Sequence, residues 1–159
     1  MKIKSLFLAL LFGSTIIIIF LLFINLNHYL KLAIFDYPLL DLIGIIILIV
    51  GISIHLSSIY FFKFIGKGTP VPIEPPKKLV FVGLYKFVRN PMYLGIFADI
   101  LGGFFVFGHL LLLVYAFLFL VFIHLYVVFV EEPKLKERFG RIYEEYTKSV
   151  PRWIPKIVL

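Results

Sequence analysis

Long apolar runs alternate along the chain with short polar, basic stretches, and the runs themselves show no period-two alternation. Four of them approach the ~20 apolar residues that a helix needs to cross a hydrocarbon core about 30 Å thick. They are Leu6 to Ile24, Leu42 to Phe62, Pro91 to Phe107 and Leu110 to Val130. Barrel strands would alternate, and in lipid only a helix or a closed barrel satisfies its own backbone, so these runs are helices. Beyond Glu131 the pattern changes. Leu135, Phe139, Ile142, Tyr143, Tyr146 and Val150 make one apolar stripe with charge on the other faces, which predicts an amphipathic helix from Glu132 to about Ser149. The expected fold is all-α and integral to the membrane, with about four transmembrane helices and a cytoplasmic amphipathic C-terminal helix. A single domain spans 1–159, divided into two N-terminal spans (1–62), a loop (63–90), a helical hairpin (91–130) and a C-terminal helix and tail (131–159).

Composition agrees: 62% of the residues are hydrophobic and the mean hydropathy is +1.05, more apolar surface than a soluble chain of 159 residues can hide. Charge then adds an orientation. Lys2 and Lys4 precede the first run, six basic residues lie from Lys63 to Arg89, and seven more from Lys134 to Lys156. The loop after the first run carries Lys31 against Asp36 and Asp41. By the positive-inside rule both termini and the 63–90 loop are cytoplasmic, and the net charge of +7 is a topology signal with some attraction for anionic headgroups. No basic domain remains to bind nucleic acid. Cysteine is absent, which removes disulfides, thiolate metal sites and a thiol nucleophile. The first run is longer than a signal-peptide core and no small-x-small site follows before Asn25-Leu26-Asn27, so a retained span is expected.

Polar groups within the apolar runs are few. Gly44, Leu48, Gly51, His55 and Ser58 share a face of the second helix, where the small residues admit a neighbouring helix. Gly95, Asp99 and Gly103 share a face of the third, and His55 or a backbone group is the expected partner of Asp99. Asn90 suits an N-cap and Pro91 the first helical position, so this helix start, with Arg89 beside it, can receive an anion. The turn near Gly108-His109 folds the fourth helix antiparallel to the third, returning Glu131 and Glu132 to the side of Arg89. His124 and Glu131, seven residues apart, share a face of a regular helix. Two carboxylates ending an apolar helix need a cation or a hydrogen-bonding ligand. The prolines at 70, 72, 75 and 76 favour an extended loop, and Phe81, Leu84, Tyr85 and Val88 give the segment after it an apolar face. No zinc-protease, serine-hydrolase or histidine-cluster pattern is present, and no metal is expected.

In chain order the sequence reads Gly66-Lys67-Gly68-Thr69-Pro70, Pro75-Pro76-Lys77-Lys78-Leu79-Val80, Gly83-Leu84-Tyr85, then Arg89-Asn90-Pro91-Met92-Tyr93-Leu94-Gly95. Glu131-Glu132-Pro133, Phe139-Gly140, Tyr143, Tyr146 and Val150-Pro151-Arg152 follow. Over roughly the last three-fifths of its length the chain thus resembles the isoprenylcysteine carboxyl methyltransferase and phospholipid methyltransferase superfamily. That resemblance implies a membrane-embedded methyltransferase domain using S-adenosyl-L-methionine. Arg89, Asn90, Pro91, Tyr93, Leu94 and Gly95 with Glu131 and Glu132 are the implied cofactor-binding residues, joined by Tyr143 and Tyr146. Asn90 stands where the eukaryotic enzymes commonly have histidine, leaving a hydrogen-bonding group that does not titrate. As catalytic candidates, Arg152 could orient an acidic acceptor, and Glu131 or His124 could assist a basic one. The expected substrate is lipid-like or small and hydrophobic: an isoprenylcysteine-type carboxylate, a phospholipid amine or a small thiol. Membrane lipids are the expected surroundings, and nothing in the sequence speaks of oligomeric state. The alternative of another class is a four-helix transporter or assembly protein, whose polar residues would line a path across the bilayer.

Overall fold

The computed structural model describes residues 3–66 and 77–156. The Pro-rich loop reading falls on 67–76, outside the described residues. The helices are α1 (Ile3–Tyr29), α2 (Pro38–Phe64), α3 (Pro91–Phe107), α4 (Leu110–Tyr126), α5 (Glu132–Phe139) and α6 (Arg141–Ser149). A 3₁₀ turn covers Gly83–Lys86 and a π-helical turn Val127–Glu131. The described residues contain no regular strand, only an isolated bridge between Ile34 and His109. Three stretches are long and apolar enough to cross a membrane: Leu11–Tyr29, Pro38–Phe64 and Leu110–Phe139. The fourth expected span, α3, is apolar but has 17 residues, a length of about 26 Å at the lower limit for crossing.

Helices in lipid gain little from the hydrophobic effect and associate through close packing. The α2–α3 contact is built on that basis. A Cβ on Gly44 would lie 2.8 Å from the carbonyl oxygen of Gly102, and one on Gly95 would lie 2.9 Å from that of Gly51. Gly51 and Gly102 are as confined, the former by Asp99 and the latter by Leu48. Two glycines one heptad apart on each helix therefore mesh in an antiparallel seam. Gly102, rather than the expected Gly103, completes the face with Gly95 and Asp99; Gly103 is turned toward α1, where the Phe20 ring covers it. As expected, His55 partners Asp99, at 3.7 Å.

On the other side, α3 and α4 share a core of Tyr93, Ile96, Ile100, Tyr115, Phe119, Ile123 and Val127, with Phe20 and Phe23 of α1 against it. Asn27 of α1 is wholly buried and accepts from the Leu111 N–H at 3.1 Å, satisfying a free donor in the first turn of α4. The α1–α2 and α3–α4 connections meet at one end, where the Phe35 N–H donates to Gly108 at 2.9 Å. Gly108 has φ +66°, and a Cβ there would overlap the Phe35 carbonyl, so both conformation and space require glycine. At the opposite, basic end the tail is laced to the segment before α3: Arg89 N–H to Pro151 O and Lys156 N–H to Phe87 O, each 2.9 Å.

Two features depart from regular helix. Pro133 has no N–H to donate and its ring crowds the carbonyl four residues earlier, that of Phe129. The π turn at Val127–Glu131 widens the helix there, so α4, the π turn and α5 run on as one rod. The single C-terminal helix expected from Glu132 to Ser149 is instead broken at Gly140, whose φ of +52° and ψ of −129° suit glycine alone. The break turns Tyr143 and Val150 inward but leaves Ile142, a member of the expected apolar stripe, 63% exposed.

Candidate functional site

At the basic end, three chain segments converge on Glu132. Arg89 and Asn90 precede α3, Glu131 and Glu132 follow α4, and Arg152 lies on the tail. Besides the Arg89–Pro151 backbone bond, the Asn90 Nδ2 amide donates to the Arg152 carbonyl at 3.2 Å. Asn90 is therefore the N-cap residue by position, but its side chain ties down the tail rather than capping α3. Pro91, buried, begins the helix as expected. So held, Arg152 grips Glu132 with both prongs of its guanidinium, Nε to Oε1 at 2.7 Å and Nη2 to Oε2 at 2.9 Å. Arg89 Nη1 approaches the same Oε1 at 2.9 Å. The hydrogen bond to Glu132 holds Arg152 above its ordinary pKa. Two cations share one carboxylate, which leaves the cluster with a positive charge.

That 2.9 Å approach of Arg89 is close but not aligned for a hydrogen bond. Both Nε and Nη1 of Arg89 are buried and have no hydrogen-bond acceptor among the described residues. Buried donors are nearly always paired, so these two could hold an anionic ligand. Beside them Tyr93, 8% exposed, donates its hydroxyl to Glu131 Oε2 at 2.9 Å. Tyr143 is buried against the cluster. Burial and then Glu132 push its pKa up to about 12, opposed by Arg89, so at neutral pH it remains a phenol able to donate. Tyr146 donates to the Tyr85 carbonyl at 2.7 Å, and burial raises its pKa as well.

Other sequence-derived positions lie elsewhere. Gly95 faces α2, against Gly51 and His55, and serves the helix seam. The Leu94 N–H donates to Asn90 O at 3.3 Å as part of the first turn of α3. His124 is exposed on α4 and accepts from Trp153 Nε1 at 3.0 Å through Nδ1. In its neutral form His124 then carries its proton on Nε2 and presents a donor, not a base. The π turn also shifts the register between His124 and Glu131, undoing the shared face of a regular helix. In the sequence Tyr85 is part of an apolar face and of the Gly83-Leu84-Tyr85 motif, with no role of its own assigned. Its phenol is buried beside Ser58 of α2 and near Glu131, and burial raises its pKa strongly.

Residues 39–142 match the family of phospholipid methyltransferases. The match runs from the start of α2 into α6 and includes Arg89, Asn90, Tyr93, Glu131 and Glu132; Tyr143, Tyr146 and Arg152 follow it. No curated protein and no solved structure matches the chain. With well over half of its length matched, and with that stretch forming the helical core and most of the charged cluster, the chain belongs to the phospholipid methyltransferase family.

Proposed function

We propose that the protein transfers a methyl group from S-adenosylmethionine to a lipid-like acceptor at the cytoplasmic face of the membrane, and that the acceptor atom is an amine nitrogen. The observation that carries the reading is the Arg89–Glu132–Arg152 cluster beside the Tyr93–Glu131 pair. The Arg89 Nε, with no acceptor among the described residues, suits the carboxylate of the cofactor, and Glu131 suits its cationic or hydroxyl groups. Tyr93 holds Glu131 and Tyr143 lies against Arg89, while Asn90 anchors the tail that carries Arg152. When bound, the sulfonium supplies an electrophilic methyl carbon. The chain's part is to orient donor and acceptor and keep water away. Fifteen basic residues lie on the termini and the segments joined at this end, which supports its cytoplasmic orientation.

Amine is favoured over carboxylate because Arg152 is committed to Glu132 and is not free to orient an acidic acceptor. Glu131 Oε2 takes the Tyr93 hydroxyl, and Oε1 remains to accept the proton that an ammonium must lose before attack. An isoprenylcysteine-type carboxylate or a small thiol is the alternative acceptor. Calorimetry with S-adenosylhomocysteine on the detergent-solubilised protein tests the cofactor assignment. The wild type binds, and Arg89→Ala weakens binding at least tenfold; no binding by the wild type refutes the reading. Incubation with native lipid extract and a radiolabelled methyl donor then identifies the acceptor.

A further inference from the structure

An open groove lies between the segment before α3 and the C-terminal helix α6, with a volume of about 490 Å³. Leu79, Phe81, Ile142 and Val150 form its apolar walls, and Lys86 and Lys156 stand on its polar side. Hydrogen bonds hold its two sides together: Tyr146 hydroxyl to Tyr85 carbonyl at 2.7 Å, and Lys156 N–H to Phe87 carbonyl at 2.9 Å. None of the ion pairs among the described residues takes up either lysine. The acidic lining residue, Glu145, is instead paired with Arg141 at 3.0 Å. Among the described residues, the groove therefore offers two lysines outside any ion pair beside an apolar surface.

Its level relative to the bilayer follows from packing. The 3₁₀ turn carrying Lys86 rests on the last turn of α2: Gly83 lies directly under the Phe61 ring, and the Tyr85 and Phe62 rings are 6.4 Å apart. The groove is thus at the basic end of a membrane-crossing helix, where headgroups lie. Phe81 is 54% and Ile142 63% exposed there, with Ile154 at 81% nearby. A soluble anion would leave these apolar groups in water, whereas a phospholipid covers them with its glycerol and upper acyl carbons while its phosphate meets the lysines.

We infer that this groove binds one anionic phospholipid of the adjacent leaflet, through Lys86 and Lys156. The lipid is a resident of the fold, separate from any methyl acceptor, and its binding does not depend on the methyl-transfer reading.

Native mass spectrometry of the full chain released from neutral detergent, titrated with phosphatidylglycerol or phosphatidylcholine, tests this. Phosphatidylglycerol binds the wild type more tightly. At roughly fivefold per lysine, K86Q/K156Q weakens it about 25-fold and each single variant about fivefold, while K86R/K156R retains it. The matched pair K134Q/K148Q, neither of which lines the groove, changes affinity less than about twofold because more distant exposed charges are screened. Equal affinity for the two lipids, or an equal loss in K134Q/K148Q, overturns the site in favour of diffuse surface charge. Displacement of the lipid by millimolar inorganic phosphate would assign the groove to a free anion instead. The single and arginine variants keep the test decisive if the double glutamine variant does not fold.

Discussion

Replacing Glu132 by glutamine removes the one carboxylate that Arg89 and Arg152 share while leaving the shape of the side chain almost unchanged. Arg152 makes two charge-assisted hydrogen bonds to it, at 2.7 and 2.9 Å, and Arg89 approaches within 2.9 Å. Glutamine keeps one accepting oxygen, but its amide group turns donors toward donors, so at least one bond is lost and two guanidinium groups are left without a counter-charge. A charge-assisted bond contributes about 1.5–3 kcal/mol, and the partial exposure of the Arg152 side chain, 31%, favours the lower end of that range. The expected destabilisation is about 2 kcal/mol, or roughly 4–8 °C in Tm for a chain of this size. Trp153, the one tryptophan in the sequence, adjoins Arg152 and reports the loss by fluorescence during thermal unfolding in detergent. A double-mutant cycle with Arg152→Gln isolates the pair, and a coupling of at least about 1 kcal/mol is expected. A Tm shift below about 1 °C for Glu132→Gln, or single effects that simply add, would show that the clamp does not hold the tail and would refute the reasoning.

The glycine seam predicts a contrast: Gly95→Leu forces α2 and α3 apart, since its Cβ already meets backbone at 2.9 Å, while Gly13→Leu is tolerated because nothing lies within 4 Å of a Cβ there. The cost for Gly95→Leu is about 1–3 kcal/mol or more, read as thermal stability in detergent. The Tyr143 phenol ionises near pH 12 in the folded protein against 10.0 ordinarily. Because the folded pKa is raised, its stabilising contribution is intact below pH 10 and is lost as pH rises toward 12, so ultraviolet titration should show Tyr143→Phe removing a late-ionising phenol. Cysteines replacing Lys31 and Lys148 should be labelled by an impermeant thiol reagent from opposite sides of the membrane, Lys148→Cys from the cytoplasmic side; labelling of both from one side would overturn the topology.

Helix positions were legible because the apolar run lengths match the bilayer, and the long α1 and α2 helices and the rod that begins with α4 follow from that alone. Charge distribution and the tight turn at Gly108 likewise placed Arg89 and Glu131-Glu132 at one end. Face assignments were less secure wherever helix geometry deviates. Pro133 is visible in the sequence, but the π turn that accommodates it is not, and it changes how His124 relates to Glu131. Gly140 similarly turned one expected helix into two.

The sequence by itself thus determined an all-helical membrane chain with its polar chemistry gathered at one end, because hydrophobic length and charge act locally and need no tertiary contact to be read. Only the tertiary structure decided the pairings: Arg152 with Glu132, Tyr93 with Glu131, His124 with Trp153, and Gly102 rather than Gly103 in the helix seam. These depend on rotations and registers between segments distant along the chain, where a single widened turn or one glycine with positive φ redirects every side chain beyond it.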